Sequence, residues 1–203
     1  MESAAAVAKP VSKKKIPAYL VKEEYDGILL YYKGYKEVLE GKKTLEDIMP
    51  SSSIHSLIMT YLTLLIGKKL NEDLFWLLIG EVGNLTPTKK RSGLDIAIFD
   101  KKVLTASQIN RHFTKVPPKI VLEIDVDVES EDLTQDEIIL FRTNKLLESG
   151  VEKIIWIFTL SKMVMVAEKG KDWTLFDWNR EVEVMEGISF NLGAYLKNEG
   201  IEA

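Results

Sequence analysis

The stretch Lys119-Ile120-Val121-Leu122-Glu123-Ile124-Asp125-Val126-Asp127-Val128 decides how this chain is read. Side chains alternate faces along a strand, so Glu123, Asp125 and Asp127 fall on one face. Leu122, Ile124, Val126 and Val128 fall on the other. Three carboxylates in a row repel one another unless a divalent metal or a lysine offsets them, or bulk water solvates them. An acidic turn, Glu129-Ser130-Glu131-Asp132, comes next, and Asp127 is expected to belong to it. A helix is then expected from about Thr134 to Ser149, with Gly150 as the residue that ends it. On that helix Thr134, Ile138, Phe141 and Lys145 share a face. Lys145 therefore leaves from the core side and is expected to reach back toward Glu123 and Asp125. Arg142, one turn earlier on an adjoining face, is the alternative cation. The plainer account of Lys145 is a charge complementing the helix C-terminus.

Upstream, Leu94-Asp95-Ile96-Ala97-Ile98-Phe99 is a strand with one carboxylate among apolar residues. Burying an unpaired carboxylate costs several kcal/mol, on the order of the penalty for any desolvated ion, so Asp95 needs a partner or a metal if it is inside. On an edge strand it would simply face water. If the two strands pair, Asp95 and Glu123 point into one site, and two carboxylates are hard oxygen ligands of the kind that Mg²⁺ or Mn²⁺ takes. Glu81, after the apolar run Leu74 to Ile79, either lines that site or ends a hairpin. His55, in the first turn of a helix opened by Ser51-Ser52-Ser53, lies off the apolar stripe Ile54, Leu57, Ile58, Tyr61, Leu62, Leu65, and is expected to cap or face solvent rather than ligate, with support of the site as the alternative.

The remaining pattern is short strands, a helix, strands, a helix, and a run of strands from Val151 onward. Thr86 to Gly93 reads as a basic loop and residues 103 to 118 as another. The whole implies a mixed α/β chain. Residues 1–17, small and basic with Pro10 and Pro17, are expected to be a disordered tail, and 18–203 a single domain. With 203 residues, 46% of them hydrophobic, the chain can bury a sizeable core. It has no cysteine, which removes disulfides, thiolate zinc sites and a cysteine nucleophile. No apolar run approaches the roughly 20 residues that span a bilayer. Small residues precede the first basic cluster, the wrong order for a secretory signal, so a cytoplasmic location is expected. A net charge of -4 argues against a general nucleic-acid coat protein but not against an enzyme with a local basic groove.

Four blocks recur together: Ser51-Ser52-Ser53-Ile54-His55; Leu94-Asp95-Ile96-Ala97-Ile98; Pro118-Lys119-Ile120-Val121-Leu122-Glu123-Ile124; and Lys145-Leu146-Leu147-Glu148-Ser149-Gly150-Val151-Glu152-Lys153-Ile154-Ile155-Trp156. In order and spacing they resemble a bacterial restriction endonuclease family within the PD-(D/E)XK nuclease superfamily, over about residues 23 to 195. The resemblance implies a restriction-endonuclease-like mixed β-sheet flanked by helices, with a C-terminal β-meander, and a Mg²⁺-dependent phosphodiesterase site acting on DNA. Asp95 and Glu123 would be the metal ligands. The chain departs from the superfamily pattern in having Leu94, not proline, before Asp95. It also has Asp125 where a lysine is usual. Lys145 or Arg142 on the neighbouring helix would then supply the positive charge, with Asp125 assisting at the site. Relatives of this kind often dimerise to cut both strands. Two readings follow: a metal-dependent DNA endonuclease, or a catalytically degenerate nuclease-fold protein that binds DNA or a partner.

Overall fold

The computed structural model describes residues 16–202 apart from 26 and 87–89, with only the backbone described at 81, 84–86 and 90–92. The expected N-terminal tail lies outside the described residues except for Ile16 and Pro17. Along the chain run β1 (Val21–Tyr25), β2 (Ile28–Tyr32), α1 (Tyr35–Leu39), α2 (Leu45–Ile48), α3 (Ser53–Lys69), β3 (Phe75–Thr86), β4 (Lys90–Asp100), β5 (Ile120–Ile124), β6 (Val128–Glu129), α4 (Gln135–Ser149), β7 (Lys153–Phe158), β8 (Met163–Glu168), β9 (Thr174–Asp177), β10 (Val182–Met185), β11 (Ile188–Phe190) and α5 (Leu192–Asn198). The central sheet has the order β3-β4-β5-β7-β8-β9, beside a smaller sheet β1-β2-β6 and the hairpin β10-β11. Only β5 and β7 are parallel neighbours in the central sheet. A parallel pair needs a crossover connection, and α4 provides it. This is the expected mixed sheet flanked by helices, closed by antiparallel strands at its C-terminal end.

The helices form where local chemistry satisfies their ends. Ser52 caps α3 by accepting a hydrogen bond from the His55 backbone N–H at 3.2 Å. Thr134 and Glu137 cap α4 reciprocally, and Gly150 ends it at φ 114°, a left-handed conformation that favours glycine. Each helix then covers one face of the sheet. Ile58, Leu62 and Ile66 of α3 are fully buried against Ile98, Leu122, Ile124, Ile155 and Ile157. Ile138 and Leu146 of α4 pack with Ala97, Phe99, Val121, Ile154 and Trp156 on the opposite face. Burying each such side chain contributes roughly 1.5–3 kcal/mol. Covered on both faces, β5 is buried at all five positions, which explains its nearly continuous apolar run. Glu123 is the one polar side chain in it.

The alternation expected beyond Glu123 stops at Ile124. Asp125 adopts φ 59°, a left-handed conformation, and leaves the strand, so Glu123, Asp125 and Asp127 do not form one carboxylate face. Of the expected basic loop at Thr86 to Gly93, the described residues are strand: β3 pairs with β4 out to Thr86↔Lys90, and 87–89 lie outside the described residues. Ladder hydrogen bonds come from the backbone, so strand pairing can continue through residues that period-based reading assigns to a loop. β1 also forms over residues with no clear strand signature, by pairing with β2.

One irregularity positions the site. Ile79 pairs with Ile96 but Val82 pairs with Leu94, so Gly80 and Glu81 together oppose Asp95. This is a β-bulge, and Gly80 takes φ +79° in it. It changes which way the strand faces: Leu94 joins the core on the α4 side, whereas Ile96 joins the α3 side. A Cβ at Gly80 meets nothing within 4 Å, so only backbone strain opposes substitution there. Gly80→Ala is therefore expected to destabilise the protein by about 1–2 kcal/mol in urea unfolding, the cost of a left-handed non-glycine residue. An unchanged midpoint would show that the bulge relaxes freely.

Candidate functional site

Glu123 and Asp95 lie on neighbouring strands, and the backbone links them. The Asp95 Oδ2 accepts a hydrogen bond from the Ile124 N–H at 2.8 Å, which sets its carboxylate against the residue after Glu123. Glu123 is only 4% exposed. Its Oε2 accepts from Arg142 Nη2 at 3.2 Å, while its buried Oε1 has no hydrogen-bond partner. The same Nη2 donates to Glu23 Oε1 at 3.1 Å, and Glu23 and Arg142 are buried as completely as Glu123. The Arg142 guanidinium lies 4.9 Å from the centre of the Trp156 ring, whose Nε1–H donates to Thr143 on the same helix. One cation thus serves two buried carboxylates, and its Nε and Nη1 find no hydrogen-bond partner.

That imbalance governs the titration of the site. Burial pushes Glu123 well above the usual carboxylate range; Arg142 pulls it back, and the charges of Asp95, Glu23 and Asp127 add to the rise. Glu23 is likewise raised by burial, against the pull of Arg142 and a hydrogen bond with Tyr25. Burial opposes the charge on Arg142, yet Glu23 and Glu123 outweigh it, so the guanidinium stays charged.

His55 departs from its expected role. It is 6% exposed, and its Nε2 lies 3.5 Å from Asp95 Oδ1. This atom makes no formed hydrogen bond, so the contact is an electrostatic one. Burial draws the imidazole pKa down, but Asp95, with smaller contributions from Asp127 and Asp125, raises it above the ordinary histidine value. The helix periodicity placed His55 off the apolar stripe; it did not reveal that Asp95 of β4, opposite the β3 bulge, lies beside that flank of α3.

The other expected residues are dispersed. Asp125 accepts from the Thr159 N–H and Oγ1, each at 2.7 Å, and its own N–H donates to the Ile157 carbonyl. Its carboxylate thus ties the end of β5 to the end of β7. Lys145 lies 2.9 Å from Glu148 on its own helix, and the cation on Glu123 is Arg142. Asp127 is not a simple turn residue: it forms an ion pair with Lys22 of β1. Burial works against its charge, but Lys22, by charge and hydrogen bond, holds it below the usual range. The side chain of Glu81 lies outside the described residues. Glu23 went unread because Val21-Lys22-Glu23-Glu24-Tyr25 carries two adjacent acids. The available signal was Val21, Glu23 and Tyr25 at strand spacing before the turn at Gly27.

Among the described residues, no group of three or more His, Cys, Asp or Glu side chains is gathered so as to hold a metal ion. A closed all-protein cage therefore does not fit. A hard cation that keeps several waters and takes one or two carboxylates does fit, because Glu123 Oε1 has no hydrogen-bond partner and Asp95 lies beside it.

No protein-family model and no curated protein matches the chain. Among solved structures it is similar to a protein from Anabaena variabilis ATCC 29413 described as a putative nuclease belonging to DUF820. The two are 17% identical, with 83% of this chain and 84% of that one covered and a TM-score of 0.60. At that identity the likeness establishes a shared fold. No helix among the described residues is long and apolar enough to cross a membrane.

The buried trio makes a stability prediction. Arg142→Met leaves Glu23 and Glu123 inside without a cation and is expected to cost about 3–5 kcal/mol near neutral pH. Both carboxylates have raised pKa values when folded, so the folded state holds their protons more tightly than the unfolded chain. The stability this confers is present at acid pH and lost as pH rises above the ordinary carboxylate range. The deficit of the variant should accordingly shrink between about pH 8 and about pH 5 in urea titrations. A deficit that stays constant over that interval would mean the two carboxylates do not depend on Arg142.

Proposed function

We propose that this protein is a metal-dependent nuclease that hydrolyses phosphodiester bonds in DNA, with Asp95 and Glu123 holding Mg²⁺ or Mn²⁺. One observation carries the reading. Glu123 is a buried acid with an unpartnered oxygen, set on the strand beside Asp95 in a centre with more carboxylates than cations. A divalent cation bound there would supply the missing positive charge, a contact for a phosphodiester oxygen and a lowered pKa for an attacking water.

The chain's own residues have definable parts in this reading. Asp95 is held by the Ile124 N–H, which fixes one of its oxygens and leaves the other beside His55. Arg142 orients Glu123 and is itself anchored by Glu23 and Trp156. It supplies a fixed positive charge for a reaction in which negative charge develops on phosphate oxygens. Asp125 acts at one remove, by fixing where β5 ends. The fold shared with the DUF820 protein supports the same class of activity by analogy.

A second reading, a nuclease-fold protein that binds DNA without turnover, draws on the Arg142–Glu123 ion pair, since a cation already engages the acid that the metal needs.

The deciding measurement is plasmid cleavage with Mg²⁺ and with Mn²⁺. Asp95→Asn and Glu123→Gln are each expected to lower the rate by at least about a hundredfold. The wild-type rate should rise with pH above the ordinary carboxylate range, as Glu123 gives up its proton. Equal cleavage by wild type and both variants would trace the activity to a contaminant and reject the reading. Salt-dependent DNA binding without cleavage would favour the second one.

A further inference from the structure

From Lys101 to Leu122 the chain has no acidic residue, although the protein as a whole carries 31 Asp and Glu against 27 Lys and Arg. This span is the β4–β5 connection, 101–119, and the start of β5, and the connection does not hang free. It doubles back onto β3, the edge strand of the central sheet, where the Thr114 N–H donates to the Gly83 carbonyl at 3.0 Å. Phe113 lies flat enough on Gly83 that a Cβ there would fall 1.6 Å from its ring, so only glycine admits this docking. The ring nevertheless remains 44% exposed. Between the connection and β3 runs a cleft of about 640 Å³, lined by Leu78, Val82, Ile109, Arg111, Phe113 and Lys115 among others. Leu78 and Val82 flank the Gly80–Glu81 bulge that faces Asp95 across the hairpin. Arg111 and Lys115 are exposed, and neither has an acidic partner among the described residues. Lys101 and Lys119, by contrast, are engaged, by the Trp76 ring and by Glu152.

We infer that this cleft binds single-stranded DNA, with Arg111 and Lys115 on backbone phosphates and Phe113 stacking against a base. The chemistry is that of a strand-binding platform: cations along a groove with an aromatic face between them. A smooth duplex would engage the two cations alone, whereas an unpaired strand can also lay a base on the exposed part of the Phe113 ring. The inference deepens the proposed nuclease reading, because the cleft leads along β3 to the bulge opposite Asp95. It concerns binding alone and does not require turnover.

The test is fluorescence anisotropy with labelled dT20 in EDTA, so that cleavage plays no part. Arg111→Ser combined with Lys115→Ser should weaken binding at about 50 mM salt by at least tenfold. It should also reduce the slope of log affinity against log salt by roughly 1.4, at about 0.7 per phosphate contact on a single strand. Phe113→Leu keeps an apolar side chain over Gly83 and should weaken binding about tenfold with the slope unchanged. Lys68→Ser combined with Lys69→Ser, at the exposed end of α3, should bind as the wild type does. Circular dichroism checks that each variant is folded. Failure of the wild type to bind dT20, or undiminished binding by the Arg111 and Lys115 variant, overturns the inference whether or not plasmid is cut. Tighter binding to a matching duplex, or equal competition by polyglutamate, overturns it too, in favour of duplex DNA or an acidic protein. Loss of binding in the loop variants supports it even if the nuclease assay is negative.

Discussion

A single guanidinium group holds the centre of this molecule together. Arg142 projects from α4 into the core and meets Glu23 from the first strand and Glu123 from the middle of the central sheet. Three separate parts of the chain therefore converge on one charge. A buried ion pair is weak evidence of stability in itself, because desolvation offsets much of its attraction. Its effect here is on geometry. With the Trp156 ring on one side and two carboxylates ahead, the guanidinium has little freedom to move, and the Glu123 side chain inherits that restriction.

The arrangement also separates two electrostatic regions. The interior centre gathers four carboxyl groups, Asp95, Glu123, Glu23 and Asp127, around Arg142, Lys22 and His55. The β4–β5 connection, lacking acids altogether, lies along the neighbouring edge strand. An acidic centre suits a cation and repels a polyanion; a basic border draws the polyanion in. The two properties do not conflict, because the bulge at Gly80 and Glu81 turns the strand between them.

Much of the architecture was legible in the sequence. The spacing of Ile54 through Leu65 predicts α3, and the reading from about Thr134 to Ser149 with Gly150 after it predicts α4 and its end; the structure has each of them. These are local signals, settled by side chains within a turn or two. Asp95 stood out as a lone acid in an apolar strand, and Glu123 as the first of three alternating acids on the strand expected to pair with it. What escaped notice depended on distant pairing. His55 is buried where α3 packs against β4 beside Asp95. Glu23 is buried because β1 pairs with β2 and meets α4. Asp125 was read as a member of an acidic face, since alternation continues on paper past the residue where a left-handed φ ends it. A bulge likewise leaves no mark beyond one glycine.

The union of Glu23 with Arg142 spans 119 residues of sequence, and that of Lys22 with Asp127 spans 105. Contacts so remote are slow to find, since a long loop must close before they contribute anything. As the chain emerges from the ribosome, β1 and β2 are made before α4 and can pair at once. Glu23 meets its cation only after α4 has been synthesised. Until then an acid destined for the interior must stay hydrated, which keeps the first hairpin from docking early. Assembly of the acidic centre thus waits on α4, and the chain acquires its charged interior late in folding.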